Sequence, residues 1–198
     1  MRFLDQMRVA FWLWRGRAAL KAGRVDKAEM WLEAVEETVP GQPPAVEFRR
    51  MVQQAALARG KRLIEEDPES VEARGDYARA LLAEERYDEA YEQAQAGLRL
   101  IAANAKAAVF EKEMLQIAGE AAFERGLFAE SLELFRKGEE PGFAMASIHY
   151  YRGLCHLALG DRAGCRREFE SLVRQAHWAV GIRHAELAQR RQGAETAG

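Results

Sequence analysis

Residues 85–90 read Glu85-Arg86-Tyr87-Asp88-Glu89-Ala90, a turn that passes directly into a helix-forming run. Ala78 precedes the first residue of this turn by seven positions, and Ala90 follows it by five. Three other segments repeat this order of small residue, turn and small residue at the same offsets: Gly16, Gly23 and Ala28; Gly119, Gly126 and Ser131; and Gly153, Gly160 and Cys165. The spacing predicts one helix-turn-helix unit at four places along the chain.

The small residues have a physical role in such a unit. Two antiparallel helices joined by a tight turn approach closely only where both carry small side chains. We expect the first and last residues of each set to meet at this point, as in Gly119 with Ser131. A single helix pair cannot bury its apolar face, so the four pairs are expected to stack.

This pattern resembles the tetratricopeptide repeat family, whose unit is a 34-residue helix-turn-helix with these offsets. The resemblance implies an all-α, right-handed solenoid of antiparallel helix pairs, about ten helices in all, with a C-terminal capping helix. Trp12 matches the aromatic residue of the family's first helix, and Pro40 matches its closing proline. Glu85 departs from the pattern, because the other copies carry glycine at the turn.

We interpret residues 1–198 as a single array of such units. The divisions are repeat 1 at 9–42, an irregular segment at 43–70, repeat 2 at 71–104, repeat 3 with an extended first helix at 105–145, repeat 4 at 146–177 and the capping helix at 178–192. The irregular segment has 28 residues, too few for a whole repeat. It is either one long helix or a degenerate repeat, and such a segment could present a surface.

Composition supports the all-α prediction. The chain of 198 residues contains 36 alanines but only 17 Val, Ile and Thr residues together, whereas sheets favour β-branched residues and helices favour alanine. The positions of glycine and proline predict ten helices, one of them continuous over 104–125.

Charge is distributed unevenly although the net charge is −2. Residues 1–63 carry 12 basic and 7 acidic side chains, residues 64–140 carry 9 and 19, and residues 141–198 carry 8 and 5. An acidic middle between basic ends could steer a charged partner or favour head-to-tail self-association, or it could be an ordinary solvated surface. Nucleic-acid binding is disfavoured, because no net positive charge is available to release counterions.

The residues that could carry chemistry do not form a catalytic pattern. The chain has no Gly-rich phosphate loop, HExxH motif or GxSxG motif, so we predict no enzyme and no cofactor. His149 and His156 lie seven residues apart, about 10 Å along a helix, which is too far for two ligands of one metal ion. Neighbouring Cys155, Cys165, His177 and His184 do not complete a recognised ligand pattern, and we predict no metal site.

The two cysteines also bear on the compartment. Two thiols ten residues apart make no disulfide framework, which favours a reducing, cytoplasmic environment. The uncharged run at 9–14 is too short for a secretory or membrane-spanning segment, so we predict no membrane insertion.

The N-terminal helix carries more apolar surface than one neighbour can cover. Five residues at helical spacing form one stripe: Phe3, Leu4, Met7, Phe11 and Trp14. This stripe either folds back onto the array or forms an association patch for a partner or a second copy of the chain.

In the family that the sequence resembles, the first helix of each pair lines a concave groove. By helical phase, the predicted partner-binding residues are Arg17, Lys21, Arg79, Glu120, Glu124, Tyr150 and Tyr151. We therefore predict a non-catalytic protein-protein interaction module, a scaffold, adaptor or co-chaperone-like protein that binds a peptide or helix in this groove. The alternative is a self-associating assembly factor of a larger complex that uses the apolar N-terminal helix.

Overall fold

The computed structural model describes residues 3–138 and 146–175, and all regular structure in these two ranges is helical. This confirms the all-α prediction. The chain separates into two compact units, Met1–Ala108 and Val109–Gly198. The predicted capping helix at 178–192 lies outside the described residues.

The first unit contains five α-helices. They are α1 (Phe3–Lys21), α2 (Val25–Thr38), α3 (Pro43–Glu66), α4 (Val71–Ala83) and α5 (Tyr87–Ala103). Helices α1 and α2 form one antiparallel pair and α4 and α5 form another, as the turn spacing predicts. The turn between α4 and α5 places Glu85 at φ 58°, a left-handed conformation that glycine adopts at the other three turns.

The second unit contains the described parts of four more helices. They are α6 (Glu111–Glu124), α7 (Phe128–Lys137), α8 (Ala146–Ala158) and α9, which the structure describes over 162–175. Ser131 is fully buried between α6 and α7, where its hydroxyl donates a hydrogen bond of 2.7 Å to the carbonyl oxygen of Gly119. The expected meeting of small residues in this pair is thus observed.

The prediction of one continuous helix over 104–125 is wrong. Residues Ala105–Phe110 form a 3₁₀ helix, and α6 begins only at Glu111. The Asn104 side chain accepts a hydrogen bond of 3.1 Å from the backbone N–H of Lys106, a local turn that competes with regular α-helix.

The irregular segment at 43–70 forms a single helix, α3, of 24 residues. It begins with Pro43 in the first turn, where proline's fixed φ and missing N–H cost nothing, and it ends before Pro68. The next helix starts at a Ser70 cap, whose hydroxyl accepts a hydrogen bond of 3.2 Å from the N–H of Ala73. Of the two interpretations left open, the long helix is the one observed.

The two halves of helix α3 pack on different helices. Phe48 in the first half is fully buried and packs so closely on α1 that a Cβ atom at Gly16 would lie 2.1 Å from its ring. Gly60 in the second half packs on α4, where a Cβ atom would lie 2.8 Å from the Tyr77 Cα. Within the described residues α2 and α4 make no direct backbone contact, so α3 alone joins them.

Candidate partner-binding cleft

A cleft of about 520 Å³ lies along α3 between α2 and α4, and we call it the α2–α4 cleft. Its apolar lining comes from all three helices: Val25 and Leu32 of α2, Val52 and Ala56 of α3, and Ala80 and Ala83 of α4. Gln53 and Gly60 of α3 also line the cleft, together with charged groups from the same three helices: Asp26, Glu29, Glu36, Arg49, Arg59, Asp76 and Arg79.

Ion pairs join α3 to α2 along the cleft. Arg59 of α3 pairs with Asp26 near the start of α2, and Arg49 pairs with Glu36 near its end. The hydrogen bond that Arg59 donates to Asp26 raises the already high pKa of Arg59, which therefore keeps its charge. These contacts hold two of the three arginines of the cleft beside carboxylates.

Helix α4 is joined to α3 by a hydrogen bond at its C-terminal end. The Gln53 side-chain amide donates a hydrogen bond of 3.0 Å to the carbonyl oxygen of Ala83. The last carbonyl groups of a helix, such as this one in α4, have no hydrogen-bond partner within the helix. On α4 itself, Arg79 donates to Asp76 at 2.6 Å. The third arginine of the cleft therefore also has a carboxylate partner.

Glu29 is the carboxylate of the cleft that takes part in none of these contacts. Among the described residues it has no ion pair and no hydrogen-bond partner for its side chain. Partial burial raises its pKa most, and the negative charge of Asp26 raises it further, while the charge of Arg59 lowers it. Glu29 retains solvent contact, and its carboxylate is available to a bound molecule.

The predicted groove residues of the first unit are not gathered at one place. Arg79 lines the α2–α4 cleft, whereas Arg17 and Lys21 do not. Arg17 lies 3.6 Å from Glu47 of α3 in an exposed ion pair, and Lys21 is the exposed last residue of α1. Whether Arg17 and Lys21 bind a partner stays a prediction.

The four predicted residues of the second unit lie on α6 and α8. Glu120 accepts a hydrogen bond of 2.9 Å from Gln116, and burial raises its pKa, with a further contribution from the charge of Glu124. Tyr150 is about half exposed, whereas the Tyr151 ring stacks on Phe135 at a centroid distance of 5.8 Å. Tyr151 thus contributes to packing, and partner binding by these four residues stays a prediction.

Three acidic residues of the cleft, Asp26, Glu29 and Glu36, were not predicted from the sequence. They belong to α2, the second helix of its pair, whereas the predicted groove residues come from the first helix of each pair. The available signal was the 28-residue segment at 43–70, whose length left room for one helix instead of two.

The apolar stripe of α1 is exposed within the described part of the chain. The exposed fractions of its side chains are 67% for Leu4, 56% for Met7, 51% for Phe11 and 63% for Trp14. The side chain of Phe3 is not among those that the structure describes. Val9 lies on the opposite face and is buried with Val35 of α2 and with Val39, which directly follows that helix. Four residues of the stripe are thus exposed, and whether they form an association patch stays a prediction.

Three of the candidate ligand residues, His149, His156 and Cys155, have structural partners. His149 contacts Glu168 at 2.7 Å, and His156 contacts Asp161 at 2.9 Å. Burial raises the pKa of the Cys155 thiol, which lies 3.4 Å from the Ser131 hydroxyl. No group of three potential metal ligands occurs in the described ranges, and His177 and His184 lie outside them.

Across residues 3–138 and 146–175 no helix has the length and apolar character needed to cross a bilayer.

Solved structures with a similar fold span most of the chain. MamA from Desulfovibrio magneticus RS-1 has a TM-score of 0.55 and 15% identity, covering 86% of this chain and 96% of that one. A second MamA crystal structure has a TM-score of 0.53 and 17% identity, covering 84% and 96%. PilF of Pseudomonas aeruginosa has a TM-score of 0.51 and 13% identity, covering 86% and 77%. At these identities the likeness concerns the fold alone.

These comparisons and the helix pairs define a helical-repeat protein. The family model of the tetratricopeptide repeat matches residues 2–43, the segment that contains α1 and α2. This match assigns residues 2–43 to the tetratricopeptide repeat family, and the fold of the chain is similar to that of the solved structures. No curated protein sequence matches it. Family and fold together suggest a protein-protein interaction module.

Proposed function

We propose that the chain is a non-catalytic scaffold or adaptor that binds a peptide or a helix of a protein partner in the α2–α4 cleft. The observation that carries this proposal is the cleft itself, which combines an apolar lining with charged groups from three helices. Its volume of about 520 Å³ lies within the range of roughly 300–1,000 Å³ typical of binding pockets.

The chemistry of the cleft favours binding over catalysis. Its three arginines are already paired with carboxylates, and among the cleft residues there is no histidine, cysteine or serine to act as nucleophile or base. Free Cys155 and Cys165 fit the reducing compartment proposed for this protein, the cytoplasm. We propose protein partners, with no cofactor, no nucleic acid and no membrane insertion.

A bulky side chain in the cleft should block the partner. We expect Ala56→Phe to lower partner capture by about tenfold or more, a loss of roughly 1.4 kcal/mol, because the new ring occupies the apolar lining. The measurement is affinity capture from native lysate with quantitative mass spectrometry, comparing each captured protein between the variant and the unmodified chain.

The matched control is Ala58→Phe. Ala58 is exposed on the same helix and lies about 200° around the helix axis from Ala56, outside the cleft. Thermal unfolding followed by circular dichroism checks that both variants fold. Equal capture by both folded variants and the unmodified chain would refute binding in the cleft.

The exposed stripe of α1 favours self-association as a second candidate function. Leu4, Met7, Phe11 and Trp14 face away from the buried side of α1, and Met30 of α2 is also about half exposed. Exposed apolar side chains grouped on one face are typical of association surfaces. We propose that two copies of the chain associate through this stripe, as an assembly factor would.

Two charges placed in the stripe should dissociate such an assembly. We expect the unmodified chain to exceed its monomer mass of 22.3 kDa in light scattering at tens of micromolar, and Phe11→Glu with Trp14→Glu to return it to that mass. The control pair, Gln6→Glu with Ala10→Glu, adds the same charge at exposed positions of α1 beside the stripe. A monomeric unmodified chain, or an equal effect of both pairs, would reject this candidate.

A further inference from the structure

The charges that line the α2–α4 cleft do not balance. Four carboxylates and three guanidinium groups face it, and each guanidinium already has a carboxylate within contact distance. The pairs are Arg49 with Glu36, Arg59 with Asp26 and Arg79 with Asp76. One negative charge is left over, and it is that of Glu29.

The surroundings of Glu29 make its negative charge unfavourable. Asp26 lies one helical turn before it on α2, and Asp76 acts on it from α4. Arg59 of α3 and Arg79 of α4 act in the opposite sense, but both are engaged by these same aspartates. A further positive charge beside Glu29 would relieve this repulsion, because opposite charges within a few ångströms favour the ionised carboxylate.

A negatively charged ligand, in contrast, would be unfavourable in this cleft. It would have to compete with Asp26, Glu36 or Asp76 for an arginine that these residues already hold, and it would approach Glu29. The charge pattern of the cleft therefore selects against an acidic partner.

We infer that the partner segment inserts a lysine or arginine side chain into the α2–α4 cleft, where its cationic head pairs with Glu29. The inference rests on the proposed function and names the chemistry of its partner. The methylene stem of the inserted side chain packs on the apolar lining at Val52, Ala56 and Ala80. Long basic side chains commonly bury their stems in this way while the charged head stays beside polar groups.

The test uses random dodecapeptides displayed on phage as the probe. They are selected on the full chain, and clones that still bind Ala56→Phe are removed, so that only cleft-dependent peptides remain. We expect a lysine or arginine to be enriched at one position of these peptides. In a synthetic peptide, norleucine at that position should lower the affinity by about tenfold or more, as expected for a close charge pair.

The same exchange should have an effect of less than about twofold on binding to Glu29→Gln, since the carboxylate is then absent. Glu33→Gln is the matched control, because Glu33 is exposed on α2 one turn further along and does not line the cleft. It should keep the full effect of the exchange. Thermal unfolding checks that both variants fold.

The outcomes separate this inference from the proposed function. Cleft-dependent peptides without an enriched basic position would overturn the inference and leave cleft binding intact. An equal effect of norleucine on binding to Glu29→Gln and to the unmodified chain would likewise overturn the inference and leave cleft binding intact. Failure to select any cleft-dependent peptide would count against the proposed function and, with it, the inference.

Discussion

Phe48→Ala is expected to lower the free energy of unfolding of the first unit by about 3–5 kcal/mol. Phe48 is fully buried in a cluster with Ala19, Ala28 and Val52, which belong to α1, α2 and α3. Removing its ring leaves a cavity at the junction of all three helices and weakens the packing of α3 on α1. Urea unfolding, with hydrogen exchange to assign the transition to this unit, measures the loss.

Val46→Ala is the control for this prediction. Val46 is 47% exposed on the same helix, so its loss should be within about 0.5 kcal/mol. A second variant tests the contact with α1. Because a Cβ atom at Gly16 meets the Phe48 ring, Gly16→Ala should cost less stability when combined with Phe48→Leu than alone. Additive losses would show that Phe48 does not pack on Gly16.

Glu168→Ala is expected to lower the free energy of unfolding of the second unit by about 3–5 kcal/mol. Glu168 of α9 is only 8% exposed and contacts two side chains of α8: Arg152 at 2.6 Å and His149 at 2.7 Å. The substitution removes the carboxylate that contacts the mostly buried guanidinium group of Arg152. Losing this partner makes the buried positive charge less favourable and lowers the stability of the fold. Urea unfolding together with hydrogen exchange of α8 measures the effect.

Two further variants separate the buried ion pair from helix packing. Glu168→Gln keeps side-chain hydrogen-bonding atoms at the same place and should lose less stability than Glu168→Ala. Glu170→Ala changes an exposed carboxylate two residues further along α9 and should have an effect within about 0.5 kcal/mol. Equal losses for Glu168→Ala and Glu170→Ala would contradict the role given to Glu168.

The helix pairs could be predicted from sequence because their signals are local. The offset from Gly119 through Gly126 to Ser131 fixes two helices and a turn within thirteen residues, and the structure places Ser131 on Gly119. The 3₁₀ helix at Ala105–Phe110 was missed because one Asn104 side chain redirects the backbone there, against an otherwise helix-forming composition.

The cleft could not be predicted because it depends on contacts distant in sequence. The length of the 43–70 segment indicates an irregular unit, but not that Phe48 packs on α1 and Gly60 on α4. That division of α3 between two neighbours separates α2 from α4 and leaves the cleft between them. Arg79 was identified by its helical phase, whereas Glu29 was missed because it lies on the second helix of its pair.

Partner binding in the α2–α4 cleft is tested most directly by recording which residues of the chain touch a bound partner. A photo-crosslinking amino acid, p-benzoylphenylalanine, is placed at Ala83, an exposed residue that lines the cleft, and separately at Ala58 on the far side of α3. We predict a partner adduct from position 83 that Ala56→Phe abolishes, and none from position 58. Adducts from position 58 alone, or equal adducts from both positions, would contradict partner binding in the α2–α4 cleft.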